Sequence, residues 1–182
     1  MLEEDEDAPR GENVALLVNA VPERVSGLAR LLRARQAEML VCNPDPKVAA
    51  AATVPLLDEG AEAASERLDP GVLEDWRAAF DRAQAAFGPA NLCIVFDTPV
   101  GLLGERYTAM LAGFRLFLGG AWRSSKQHAL FLLGAEGSPV AALDQVLHDL
   151  KAGSLPANVS LQAFGPDDPQ AEAALRAFLD ER

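Results

Sequence analysis

Apolar runs bounded by turn residues alternate with segments of helical period along this chain, and that alternation restricts the fold more than any other feature. A strand followed by a crossover helix returns to a parallel neighbour, with helices covering both faces of the sheet. The pattern predicts strands over 13–19, 37–42, 61–67, 91–97, 128–134 and 158–164. Helices are predicted over 22–35, 45–58, 71–87, 101–124, 138–151 and 168–181. Continuous runs such as Leu92-Cys93-Ile94-Val95-Phe96 fit strands buried on both faces. Pro22 suits a first helical turn, Asp45-Pro46 reads as an N-cap followed by proline, and Gly60 and Gly88 stand where left-handed C-terminal caps belong. The expected fold class is α/β, a three-layer sandwich around a mostly parallel sheet of about six strands.

With 182 residues, 49% of them apolar, the chain can build one sizeable core, and residues 13–182 are expected to form a single domain. Glu3, Glu4, Asp5, Glu6, Asp7 and Glu12 crowd the start against Arg10 alone, which predicts a solvated, disordered acidic tail over 1–12. A net charge of −11 argues against a nucleic-acid partner. The longest apolar stretch, 107–122, is interrupted by Arg115 and is short for a bilayer span, so no membrane partner is expected. The acidic start lacks the basic-then-apolar order of a secretory leader, and a cytoplasmic location is expected. Cys42 and Cys93 fall inside predicted buried strands and read as core thiols. Neither they nor His128 and His148 have metal-ligand spacing, so no metal is expected.

Residues 14–32, VALLVNAVPERVSGLARLL, run from a strand directly into an amphipathic helix. Residues 65–88, SERLDPGVLEDWRAAFDRAQAAFG, carry a second recognisable rhythm. Together these segments resemble the short-chain dehydrogenase/reductase family, with its opening VALVTGxxxGIGxAIAxxL and its later LDVTD…AVAxAxxxFG. The resemblance extends over residues 13–164 and implies a Rossmann-like fold. It also implies which positions once served a dinucleotide. The three phosphate-loop glycines fall on Asn19, Glu23 and Val25, and Glu23 would set negative charge where pyrophosphate needs bare N–H groups. Asn43 replaces the acid that holds the adenosine ribose. Asp69 falls on the aspartate that touches adenine, but an N-cap for helix 71–87 is its favoured reading.

The catalytic positions implied by the resemblance are altered as well. Val95-Phe96-Asp97-Thr98 replaces Asn-Asn-Ala-Gly, Met110 stands near the catalytic asparagine, and Gly134-Ala135 stand where a serine ends the fifth strand. In the family, a Tyr-x-x-x-Lys pair donates the proton and lowers the tyrosine pKa. Here Tyr107 is followed four residues later by Leu111, and Lys47, Lys126 and Lys151 are preceded by Asn43, Trp122 and Leu147. No catalytic or cofactor-binding residue is therefore assigned, and no cofactor is expected. Ser124, Ser125 and Ser138 lie outside any nucleophile elbow, and the acidic Asp167-Asp168 and Asp180-Glu181 read as a helix cap and a last turn.

Helix 101–124 is apolar around nearly its whole circumference, and a helix packed on one side of a sheet needs only a stripe. Tyr107, Met110, Leu111, Phe114, Phe117 and Leu118, with Leu143, Val146, Leu147 and Leu150 of the next helix, are the expected interface. In the family these two helices pair subunits. The reading is a non-catalytic pseudoenzyme, a structural or regulatory subunit that pairs with itself or with an active relative. The alternatives are an NAD(P)-dependent oxidoreductase with an atypical site and a small-molecule-binding protein that uses the former cofactor cleft.

Overall fold

The computed structural model describes residues 12–181, so nearly all of the acidic segment 1–12 lies outside the described residues. The elements run β1 (Val14–Val18), α1 (Pro22–Ala34), β2 (Glu38–Asn43), α2 (Pro46–Asp58), β3 (Ala63–Arg67) and α3 (Leu73–Ala86). They continue with β4 (Leu92–Val95), α4 (Gly104–Ala121), β5 (His128–Leu133), α5 (Val140–Lys151), β6 (Val159–Phe164) and α6 (Pro169–Asp180). The strands form one six-stranded sheet in the order β3-β2-β1-β4-β5-β6. Every pairing in it is parallel.

The sheet is all-parallel because each strand is followed by a helix that returns the chain to the same edge. β1 and β4 are fully apolar runs, and with the mostly apolar β2 and β5 they take the middle, where both faces are covered. The half-polar runs Ala63–Arg67 and Val159–Phe164 take the two edges and are only partly buried. One core lies between the sheet and α1, α2 and α6, around Val25, Leu32, Leu56 and Leu175. The other lies under α3, α4 and α5, around Trp76, Phe114, Leu143 and Val146. Asn91 ties the start of the sheet together. It accepts from the Val14 amide at 2.9 Å and donates to Asn13 at 2.8 Å and to the Gln127 carbonyl at 3.2 Å.

The helix ends follow local chemistry. Asp45 and Asp168 cap α2 and α6 by accepting from Lys47 N and Gln170 N at 2.8 and 2.9 Å. Gly60 and Gly88, at φ +77° and +113°, close α2 and α3. α4 is shorter than the 101–124 expected from its composition. The backbone reaches φ +55° at Gly104, so residues 101–103 remain a turn. At the other end Arg123 N turns back to the Gly120 carbonyl.

Candidate functional site at the carboxyl edge of the sheet

In an open parallel sheet the strand order reverses at one place, and the loops leaving the two flanking strands diverge into a crevice. Here that place lies between β1 and β4, where Val18 pairs with Val95. Asn19 leaves β1 at φ +55°. The left-handed turn that glycine normally supplies is thus made by asparagine, one of the few side chains that tolerate it. Two residues beyond β4, Asp97 takes φ +43°. Its neighbours commit their amides to the sheet, Phe96 N to the Val18 carbonyl at 2.9 Å and Thr98 N to the Leu133 carbonyl at 2.8 Å.

Arg24, in the first turn of α1, reaches across this crevice. Its Nη2 donates to Asp97 Oδ1 at 3.0 Å, and its Nη1 donates to the Pro166 carbonyl at 3.0 Å and lies 3.7 Å from Asp167. One guanidinium therefore joins the α1 N-terminus to the turns after β4 and after β6. Glu23, expected to face a pyrophosphate, is exposed, and its neighbour Arg24 spans the crevice instead. Val25 is fully buried and packs α1 against the sheet. The signal for Arg24 was a lone basic residue in the first turn of a helix, a position that usually favours acids.

Asn43 and Asp69, which the resemblance sets at ribose and adenine positions, are likewise tied up. Asn43 donates to the Ala20 carbonyl at 3.0 Å and accepts from Asp45 N at 2.9 Å, so it fastens the end of β2 to the turn after β1. Asp69 does not cap α3, whose N-cap is Val72. Its carboxylate accepts from Gly71 N at 2.9 Å and from Arg106 Nη2 at 2.8 and 3.0 Å. The guanidinium lies so close over Gly71 that a Cβ there would sit 2.7 Å from Arg106 Cζ.

On the far side of the crevice, Met110 is fully buried in the core. At Gly134 a Cβ would sit 3.2 Å from Leu143 Cδ1 and 3.5 Å from the Phe164 carbonyl oxygen. Tyr107 turns toward α5 and donates to Asp149 Oδ2 at 2.6 Å, while Gln145 donates to the other oxygen at 2.8 Å. Partial burial, and then this bond, push the phenol up to about 12, and the same bond holds the Asp149 carboxyl below its ordinary value. A groove of about 330 Å³ beside this pair is lined by Val100, Leu102, Leu103 and Val146.

Met110, Leu111, Phe114, Phe117, Leu118, Leu143, Val146 and Leu150 are buried within the protomer, and Tyr107 and Leu147 are half-buried. The physical reason is the position of α4 in the middle of its layer. It is covered by the sheet below, by α3 on one flank and by α5 on the other, so an apolar cylinder is satisfied internally. Gly113 lets α3 close in, since a Cβ there would sit 2.4 Å from the Trp76 ring. The most exposed large apolar residues near these two helices are a different set, Leu103 (83%) and Trp122 (62%) at the two ends of α4 and Val140 (61%) at the start of α5.

Cys42 and Cys93 are buried core thiols, and burial pushes both upward. Among the described residues no group of His, Cys, Asp and Glu could hold a metal ion, and no helix is long and apolar enough to cross a membrane.

No family model matches the chain, and no curated protein sequence matches it. Solved structures do. A metagenomic short-chain oxidoreductase in complex with NADP is 15% identical, with a TM-score of 0.62 over 95% of this chain and 93% of that one. A structure described as a short-chain dehydrogenase/reductase from Sinorhizobium meliloti 1021 is 14% identical, with a TM-score of 0.63 over 94% of this chain and 90% of that one. One described as a D-mannonate oxidoreductase from Haemophilus influenza with bound NAD is 10% identical, with a TM-score of 0.55. That match covers 77% of this chain, which spans only 62% of the length of that protein.

Proposed function

We infer that this fold, a Rossmann-like α/β sandwich like that of short-chain dehydrogenases and reductases, no longer carries their chemistry. We propose that this chain is a degenerate relative of those enzymes that does no hydride transfer and serves as a structural or regulatory subunit. The observation that carries this reading is the Arg24 bridge to Asp97, Pro166 and Asp167. A dinucleotide pyrophosphate would need that space and the bare amides of a glycine turn. The residues present do not fit such a group. Asn43 is spent on the Ala20 carbonyl, and Asp69 is spent on Arg106. The absence of a Tyr-x-x-x-Lys pair removes the proton donor and its activator, each worth orders of magnitude in rate.

The partner surface proposed is the outward face of α4 and α5, where Leu103, Trp122 and Val140 are exposed and Tyr107 and Leu147 form the border. The partner is a second copy or an active chain of the same fold, since matched helix pairs suit self-similar packing. A cytoplasmic location accords with that role.

Two measurements test the reading. Calorimetry with NAD(H) and NADP(H) at micromolar protein should give no saturable heat, and saturable binding would favour an oxidoreductase with an atypical site. Light scattering at tens of micromolar should give a dimer that Trp122→Asp weakens. A monodisperse monomer that also forms no complex with an active short-chain reductase would sink the subunit role.

A further inference from the structure

A second cleft opens at the opposite, amino edge of the sheet, between α3 and α4, with a volume of about 430 Å³. That size is typical of small-molecule pockets, which combine apolar walls with a few convergent polar groups. Phe80 from α3 and Phe117 from α4 form the apolar wall, their rings stacked with centroids 6.4 Å apart. Leu116 stands beside them, 42% exposed, on the face of α4 that the sheet and α5 leave uncovered.

His128, the first residue of β5, also lines the cleft, although only 3% of its surface is exposed. Its Nδ1 lies 3.0 Å from the Lys126 carbonyl oxygen. A carbonyl can only accept, so Nδ1 carries the proton and Nε2 keeps its lone pair. Burial lowers the His128 pKa, which favours the neutral ring. Nε2 points toward Gly120, another wall residue, because a Cβ there would sit 3.6 Å from it.

The rim adds charge. Arg123 is exposed and forms no ion pair among the described residues. Basic residues just past a helix often complement its dipole. That need is already reduced here, because the Gly120 and Ala121 carbonyls accept from Arg123 N and Ser124 N at 3.1 and 3.3 Å. Lys126 is held by the Glu12 carbonyl at 2.8 Å, and Asp81 is the one carboxylate in the lining. In a chain of net charge −11, Arg123 sets a guanidinium with no ion pair among the described residues beside an aromatic wall.

We propose that this cleft binds a small hydroxylated aromatic carboxylic acid. The ring lies against Phe80 and Leu116, the carboxylate meets Arg123, and the hydroxyl donates to His128 Nε2. A guanidinium–carboxylate contact is charge-assisted and adds to what the apolar wall supplies, and the imidazole selects for the hydroxyl.

Titration of the full chain with 4-hydroxybenzoate, with benzoate and phenol as probes of one handle each, tests this by calorimetry and amide chemical shifts. Expected is saturable binding with shifts confined to residues 80–91 and 116–128 and weaker binding of both single-handle probes. Arg123→Gln, at an exposed site that leaves the fold intact, should weaken 4-hydroxybenzoate about tenfold. Asp81→Asn, which removes the opposing charge, should tighten it. Absence of saturation at millimolar ligand, unchanged affinity in Arg123→Gln, or shifts clustered at the carboxyl edge of the sheet would overturn the proposal.

Discussion

Arg24 Nη2 and Asp97 Oδ1 stand 3.0 Å apart across the junction where the strand order reverses, joining a helix start to a turn more than seventy residues away in sequence. The side chains are 29% and 39% exposed, so solvent and salt screen the pair. Asp97→Asn tolerates the left-handed backbone while removing the charge. A double-mutant cycle between Arg24→Ala and Asp97→Asn in urea should give a coupling of no more than about 1 kcal/mol, falling with salt. A coupling that is zero at low salt would mean the bridge does not hold the crevice shut.

Gly113→Ala pits two effects against each other. Alanine favours the helix by about 1 kcal/mol over glycine. Its Cβ, however, would sit 2.4 Å from the ring of Trp76, which is fully buried and donates to the Pro70 carbonyl at 3.0 Å. Overpacking of this kind costs about 1 to 3 kcal/mol and should win, because the indole has nowhere to move. Denaturant midpoints should fall and Trp76 fluorescence should shift. A stabilised variant would show that α3 and α4 can part without loss.

The chain has one tyrosine, so its ionisation can be followed without ambiguity. Ultraviolet titration should place Tyr107 at about 12, against an ordinary value of 10. Because the folded value is raised, the stability from the neutral phenol is complete below pH 10 and is lost as pH climbs toward 12. Asp149 behaves in the opposite sense. Its folded value is lowered, chiefly by the Tyr107 hydroxyl, so its contribution is present above the ordinary carboxylate range and is lost as pH falls through the folded value. Tyr107→Phe should return the Asp149 carboxyl toward its ordinary value in a carbon-detected titration. An unshifted tyrosine would place the two groups apart in solution.

Gly134→Ser installs the hydroxyl that the resemblance to short-chain dehydrogenases implies for an active enzyme at this position. The new Cβ would press on Leu143 at 3.2 Å, and Leu143 is only 1% exposed. The variant should lose about 1 kcal/mol and gain no reductase activity with NADPH and a ketone panel. Full stability together with measurable turnover would count against the non-catalytic reading.

The strands and helices were readable in the sequence because apolar runs, prolines and caps such as Asp45, Asp168, Gly60 and Gly88 act over a few residues. The side chains that close the crevice were not. Arg24 and Arg106 reach acids 73 and 37 positions away, and nothing in a local window says where a long cation ends. Asp69 looked like a cap because its spacing suited one, and Arg106 took it instead. The surface of α4 misled for a different reason. Phe114 and Phe117 make its circumference apolar, but only the placement of α3 and α5 decides whether that apolar surface faces a neighbour within the chain or beyond it.

The central position of β1 carries a consequence for how the molecule is made. β1, β2 and β3 with their helices are complete within the first half of the polypeptide, yet β1 finds its other neighbour only in β4. The Val14–Asn91 bond that clamps the two together joins residues 77 apart. As the chain leaves the ribosome, a half-sheet therefore waits with its most apolar edge unpaired until β4 emerges. Closing that edge is the slow, long-range step of assembly, and until it happens the nascent chain is exposed to strand-on-strand aggregation.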